Sequence, residues 1–235
     1  MAEEVKKKSE FNLDLKEMIK AGLHFGHRTS RINPKMKPYI SSVRNAVHII
    51  NLEKTIDCFE QALKFIQDLV SQGKIILFVG TKIQSKDLVK EAAEECKLPY
   101  INQRWLGGTF TNFKTLKKRI DYFKELEEKK KKGELAKYTK LERIRMDDEL
   151  KNLEIKFGGI KNMNELPDAI FALDMKKDAL AIKEAKTKGI KIISVADTNI
   201  DPGLADYPIP ANDDAMSSIK YILDKVKDVI IKTKK

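Results

Sequence analysis

Cysteine is scarce in this 235-residue chain: Cys58 and Cys96 are the only two, both in helical patterns and neither in a CxxC pair. A disulfide framework and a cysteine zinc site are therefore unsupported, and reduced core thiols are the expectation. Long apolar runs are missing as well. Lys74-Ile75-Ile76-Leu77-Phe78-Val79-Gly80 is strand-sized, far short of the roughly 20 residues of a bilayer span. Met1 to Lys8 carries charge but no apolar core, so no secretory signal is read and a cytosolic location is expected. The turn Val79-Gly80-Thr81-Lys82-Ile83-Gln84-Ser85 has neither GxGxxG nor GxxxxGK[ST], and no nucleophile elbow or Ser-His-Asp order occurs. An enzyme of this class would lack both a phosphate cradle and a nucleophile.

Positive charge is abundant, with a formal net charge of +11 and a pI near 9.4. A polyanion, RNA foremost, is the partner such a balance favours. Lys6 to Lys8 and Lys232, Lys234 and Lys235 read as basic tails that either contact RNA or aid solubility. The only tryptophan lies in Arg104-Trp105-Leu106-Gly107-Gly108-Thr109-Phe110-Thr111-Asn112. There Gly-Gly permits close backbone approach to a partner, and Arg104 and Trp105 offer planar faces for stacking. Arg28, Arg31, Lys35, Lys37 and Arg44 supply cations at short intervals, while Pro34 and Pro38 are expected to hold that loop extended. Such a loop suits phosphate contacts, with Phe25 or Tyr39 either stacking on a base or packing in the core.

Short β-rich runs alternate with helical ones, the pattern of a parallel sheet covered on both faces. Strands are predicted at 47–51, 74–79, 99–102, 169–173, 191–195 and 207–209. Ser85 is expected to cap a helix from Lys86 to Cys96, and Asn212-Asp213-Asp214 to open the last helix at Ala215. Residues 113–157 break the alternation. Leu116, Ile120, Phe123 and Leu126 recur at helical spacing and are answered by Tyr138, Leu141, Ile144, Leu150 and Leu153. This predicts a helical hairpin of about 18 residues per arm, roughly 27 Å long. The expected organisation is an α/β core from 1–112 and 158–235, with 113–157 protruding.

Two further constellations stand out. His24 and His27 are near one another, and Asp197, Asp201, Asp213 and Asp214 follow the late strands, where an α/β fold gathers its loops. His27, Asp197 and Asp214 form the candidate set for zinc or another divalent ion; helix capping and Asx-turns are the alternative roles for these acids. Ile200 to Pro210 is apolar, proline-stiffened and partly acidic, a surface better suited to protein than to RNA.

Several segments together resemble one family. They are Ala21-Gly22-Leu23-His24-Phe25-Gly26-His27, Asn33-Pro34-Lys35-Met36-Lys37-Pro38-Tyr39-Ile40, Gly80-Thr81-Lys82, Arg104 to Thr109, Thr111-Asn112-Phe113, Gly158-Gly159-Ile160, Asp197 to Pro202 and Pro208 to Asp214. In this order they are similar to the bacterial and organellar form of small-subunit ribosomal protein two. Ile32 stands where that family often has an aromatic residue, and Ala211 where glycine is frequent. The resemblance implies a three-layer α/β/α flavodoxin-like parallel sheet with an inserted antiparallel helical hairpin. It implies no enzymatic activity and no required cofactor. It also implies attachment to small-subunit ribosomal RNA near the head–body junction, and support for docking the subunit's large multi-domain RNA-binding protein. Residues expected to serve the RNA surface are the basic-loop cations together with Lys82, Arg104, Trp105, Lys114, Lys117, Lys118 and Arg119. The expected setting is a cytoplasmic ribosome or an organellar one, with other small-subunit proteins as neighbours and neither membrane nor nucleotide.

Overall fold

The computed structural model describes residues 10–234. The predicted tail residues Lys6 to Lys8 and Lys235 lie outside them. Helix α1 (Leu15–Ala21) starts at Asp14, whose carboxylate accepts from the Lys16 N–H at 2.9 Å, and ends at Gly22 with φ of 79°. Strands β1 (Phe25–Arg28), β2 (Ile40–Arg44) and β3 (Val47–Ile50) then form a separate antiparallel sheet in the order β1-β3-β2. The Val47 strand therefore belongs to this small sheet and not to the parallel one. Asn45 and Ala46 join β2 to β3 with φ of 50° and 58°, the two left-handed residues of a tight hairpin. Between β1 and β2 the segment Pro34–Tyr39 is a 3-10 helix, not the extended loop expected. The reason is local: Pro34 sits in its first turn, where a fixed φ suits a helix start, and Asn33 accepts from the Lys35 N–H at 3.0 Å.

The main sheet is built from β4 (Ile76–Val79), β5 (Tyr100–Ile101), β6 (Ala169–Ala172), β7 (Lys191–Ala196) and β8 (Tyr207–Pro210). All pairs are parallel and the order is β5-β4-β6-β7-β8, a flavodoxin-like winding. Helices α2 (Leu52–Ser71), α3 (Lys86–Cys96) and α7 (Met216–Lys234) join α1 on one face; α4 (Phe113–Lys131), α5 (Lys140–Phe157) and α6 (Ala179–Lys188) cover the other. Alternate strand residues divide between the layers. Ile76, Phe78, Phe171 and Ile193 enter the first core, while Leu77, Val79, Ile170 and Ile192 enter the second. A period of two with both faces apolar is why these strands read as continuous hydrophobic runs.

The hairpin is present, and its base belongs to the second core. Leu116, Ile120, Phe123 and Leu126 of α4 are buried there with Leu150, Leu153 and Phe157 of α5. Tyr138, Leu141 and Ile144 depart from expectation: they lie 41%, 59% and 50% exposed, beyond the part of the pair that meets the sheet. Ser85 also departs. Its backbone is in the helical region and its hydroxyl donates to the Lys82 carbonyl rather than capping α3. Lys232 and Lys234, read as tail residues, are helical, with Lys234 Nζ donating to the Cys96 carbonyl at 2.7 Å. No helix of the described residues is long and apolar enough to cross a membrane.

Candidate nucleic-acid interface

The Arg104–Asn112 segment leaves β5 and turns into α4, and its closest partner is inside the molecule. Glu184 of α6, 5% exposed, accepts from the Gly108, Phe110 and Thr111 N–H groups at 2.8, 2.9 and 3.2 Å. Its carboxylate also accepts from Trp105 Nε1 and from the Thr111 hydroxyl, both at 3.3 Å. Burial opposes the charge on Glu184, but the Gly108, Phe110 and Thr111 donors outweigh it and hold its pKa below the ordinary carboxylate value. Gly108 is the residue that must be glycine, with φ of 92°. The close backbone approach read from Gly-Gly is thus made to the chain's own carboxylate. Trp105 is only 7% exposed and meets Phe110 edge-on, so its ring is core packing and is not offered to a base.

Around this clamp the cations face outward. Arg104 is exposed at the start of the loop, and Lys114, Lys117, Lys118 and Arg119 are exposed on the first two turns of α4. Lys117 Nζ donates to the Asn164 carbonyl at 3.1 Å; none of the five has a carboxylate within 4.0 Å among the described residues. No acid occupies the first turn of α4 and Asn112 makes no side-chain cap. Lys114, in the first turn at the positive end of the helix, opposes its macrodipole by roughly 0.3–1 kcal/mol, and the second-turn cations gain nothing from it. Stability therefore does not explain their position, whereas an incoming anion would be attracted by both the lysines and the helix terminus.

A second exposed group surrounds the small sheet. Arg28 of β1 and Arg44 of β2 both pair with Val47 of β3, so two guanidinium groups flank one residue of the central strand. Arg31 and Lys37 are exposed on the connecting segment and, like Arg28 and Arg44, have no ion-pair partner among the described residues. Lys35 differs, because its ammonium is held by Asp201 at 2.6 Å.

Lys82 is the clearest departure from the predicted RNA surface. It lies just beyond β4 with its side chain 18% exposed, and Nζ meets Asp174, Asp213 and Asp214 at 3.1, 2.9 and 2.7 Å. Burial works against its charge, but the bonds to Asp214 and Asp213 win and raise its pKa. Burial, aided by Asp174 and Asp197, pushes Asp213 up to about 7 despite Lys82. The two shifts are compatible: carboxylates outnumber cations here, so the ammonium stays charged and a carboxyl is the group that takes up a proton. Lys82 is consumed by this network and has no free N–H to present to a phosphate.

His27 joins the same edge. Its Nδ1 lies 3.0 Å from Asp197 and its Nε2 3.6 Å from Asp214, with Asn199 Nδ2 at 2.9 Å from Nε2. One ligand atom from each of His27, Asp197 and Asp214 falls within 4.8 Å of the others. The strand β1 is drawn close for this contact, since the His27 N–H donates to the Thr198 hydroxyl at 2.9 Å. Asp201, by contrast, serves Lys35 and the Gly203 N–H. Sequence reading missed Glu184, whose partners lie far away along the chain, and Asp174, which accepts locally from the Lys176 and Lys177 N–H groups but also meets the remote Lys82.

These features define a class: a basic α/β scaffold whose own ion network fills the C-terminal ends of its parallel strands and which exposes two groups of cations without ion-pair partners among the described residues. The profile of one family, described as Ribosomal protein S2, matches residues 18–233. The chain is also 46% identical over 219 residues to the small ribosomal subunit protein uS2 of Koribacter versatilis, covering 93% of this chain and 73% of that one. It is 47% identical over 217 residues to the uS2 protein of Coprothermobacter proteolyticus, covering 92% and 81%. With that of Geotalea uraniireducens the identity is 46% over 220 residues, covering 94% and 86%. The chain belongs to the ribosomal protein S2 family.

Proposed function

We propose that this chain attaches to small-subunit ribosomal RNA through two unpaired cation groups, Arg28, Arg31, Lys37 and Arg44 beside the small sheet, and Arg104, Lys114, Lys117, Lys118 and Arg119 at the start of α4. Membership of its family makes it a structural, non-enzymatic constituent of the small ribosomal subunit in translation. The observation that carries the RNA reading is the start of α4, where Lys114, Lys117, Lys118 and Arg119 are exposed within two turns and the first turn holds no acid, an arrangement that favours an anion. The head–body junction and the docking of the subunit's large multi-domain RNA-binding protein, implied by the family resemblance, belong to the same reading. The half-exposed Phe25 and the 80% exposed Ile83 supply exposed apolar area for such docking.

Arg104→Ala combined with Lys114→Ala and Lys118→Ala should flatten the salt dependence of RNA binding. Each phosphate contact contributes about 0.7 to 0.9 to the slope of log K against log salt, so a loss of about 2 is expected. Filter binding between 50 and 300 mM salt measures it. An unchanged slope in a variant that melts like the parent removes α4 from the RNA surface.

The edge cluster supports a second, independent assignment. His27, Asp197 and Asp214 provide one nitrogen and two oxygen ligands in a locality with surplus negative charge, a donor set suited to zinc or a similar divalent ion. Elemental analysis of purified protein should find close to one equivalent of metal, lost in His27→Ala. Metal-free protein that still binds RNA normally would discard the assignment.

A further inference from the structure

Between α6 and the turn Pro202–Leu204 runs a groove of about 430 Å³, floored by Met175, Ile182, Ile200 and Leu204. A second hollow of about 210 Å³ continues it, sharing Lys186 and Leu204. Leu204 is 37% exposed, and Lys183 and Lys186 stand exposed on the rim. The acids of this stretch are already engaged: Asp201 pairs with Lys35 at 2.6 Å and Asp206 with Lys191 at 2.9 Å. Lys183 and Lys186 have no carboxylate within 4.0 Å among the described residues. The stretch that reads as partly acidic in sequence is therefore, in three dimensions, an apolar trough rimmed by two exposed ammonium groups, Lys186 lying in the field of an Asp201 that is already bonded to Lys35, and Lys183 with no carboxylate in contact among the described residues.

We infer that this groove docks an acidic segment of a neighbouring protein, one that places aliphatic side chains on the floor and carboxylates against Lys183 and Lys186. Charge selects the partner's sign, because a basic or neutral peptide would leave both ammonium groups unpaired. RNA fits poorly. The floor is aliphatic, with no aromatic ring for a base to stack on, and the Thr187 hydroxyl already donates to the Lys183 carbonyl at 2.9 Å. A second copy of the chain is disfavoured by its own charge of +11.

The test is a photo-crosslinker, p-benzoylphenylalanine, substituted for Leu204 in the full chain and activated in intact cells, with products identified by mass spectrometry after digestion. The expected product joins position 204 to a net-negative peptide of another protein. Its yield should fall about tenfold when Lys183→Glu and Lys186→Glu are added, because reversing two rim charges turns attraction of an acidic segment into repulsion. Both lysines are exposed, so the melting midpoint of that variant should match the parent's. A crosslink to RNA, to a second copy or to a basic peptide overturns the inference, as does no product or a yield indifferent to charge reversal. The readout needs no subunit purification. A separate gradient of the same lysate asks whether the chain travels with small subunits, so a failure of the ribosomal reading is seen independently.

Discussion

Lys82→Met lowers the thermal midpoint by roughly 6 to 20 °C at neutral pH, the shift expected when one partner of a buried ion network is removed at a cost of about 3–5 kcal/mol. Three carboxylates now converge on that ammonium within 3.1 Å, and methionine would leave them facing one another across a site of similar volume. Scanning calorimetry at a fixed pH reads the midpoint. The folded fraction should keep the parent's salt slope for RNA binding, because Lys82 has no cation to offer outward. A normal midpoint with a reduced slope would instead return Lys82 to the RNA surface.

Glu184→Gln has the next largest effect, and it reaches further. Five donors share that carboxylate, and an amide supplies one acceptor oxygen while turning an NH2 toward the donors that remain. A stability loss of about 3 kcal/mol is expected. No cation is removed, yet RNA affinity should fall because Arg104 and the start of α4 lose their common anchor. Trypsin should cleave faster after Arg104. The pH dependence has a definite sign: a carboxyl whose folded pKa lies below its ordinary 4.5 stabilises the fold above that value. That contribution disappears as pH falls through the folded value, so the parent should lose stability on acidification below about pH 4.5 in a step that the glutamine variant lacks. An unchanged loop cleavage rate, or identical acid profiles for the two proteins, would show that Glu184 does not hold the segment.

Much of the fold is legible in the sequence because the parallel strands are buried on both sides. Ile76 to Val79 and Ala169 to Ala172 are unbroken apolar runs, and the helical stripes between them are regular. Of the small sheet only the central strand, predicted at 47–51 and found at Val47–Ile50, is legible. Phe25–Arg28 is four residues long, contains a glycine and is only partly covered, and Ile40–Arg44 is largely exposed, so neither period nor composition marks them as strands. At the site, exposed cations on regular helices are visible from spacing alone. What spacing cannot show is a partner remote in sequence. Lys82 and Trp105 read as surface groups until Asp213 and Glu184, 131 and 79 residues away, are folded against them. The distal apolar positions of α5 mislead for the same reason, since a helical stripe does not reveal where the surface it packs on ends.

The root of the hairpin has a mechanical consequence. Leu116, Ile120, Phe123 and Phe157 are set in the same apolar layer as Leu77 and Ile170, so the two-helix arm behaves as a beam clamped at one end. A load applied near Gly133 must flex the whole pair and be borne by the layer that also seats α6. Whatever grips the tip therefore pulls on the lattice that keeps Arg104 and the α4 lysines in register.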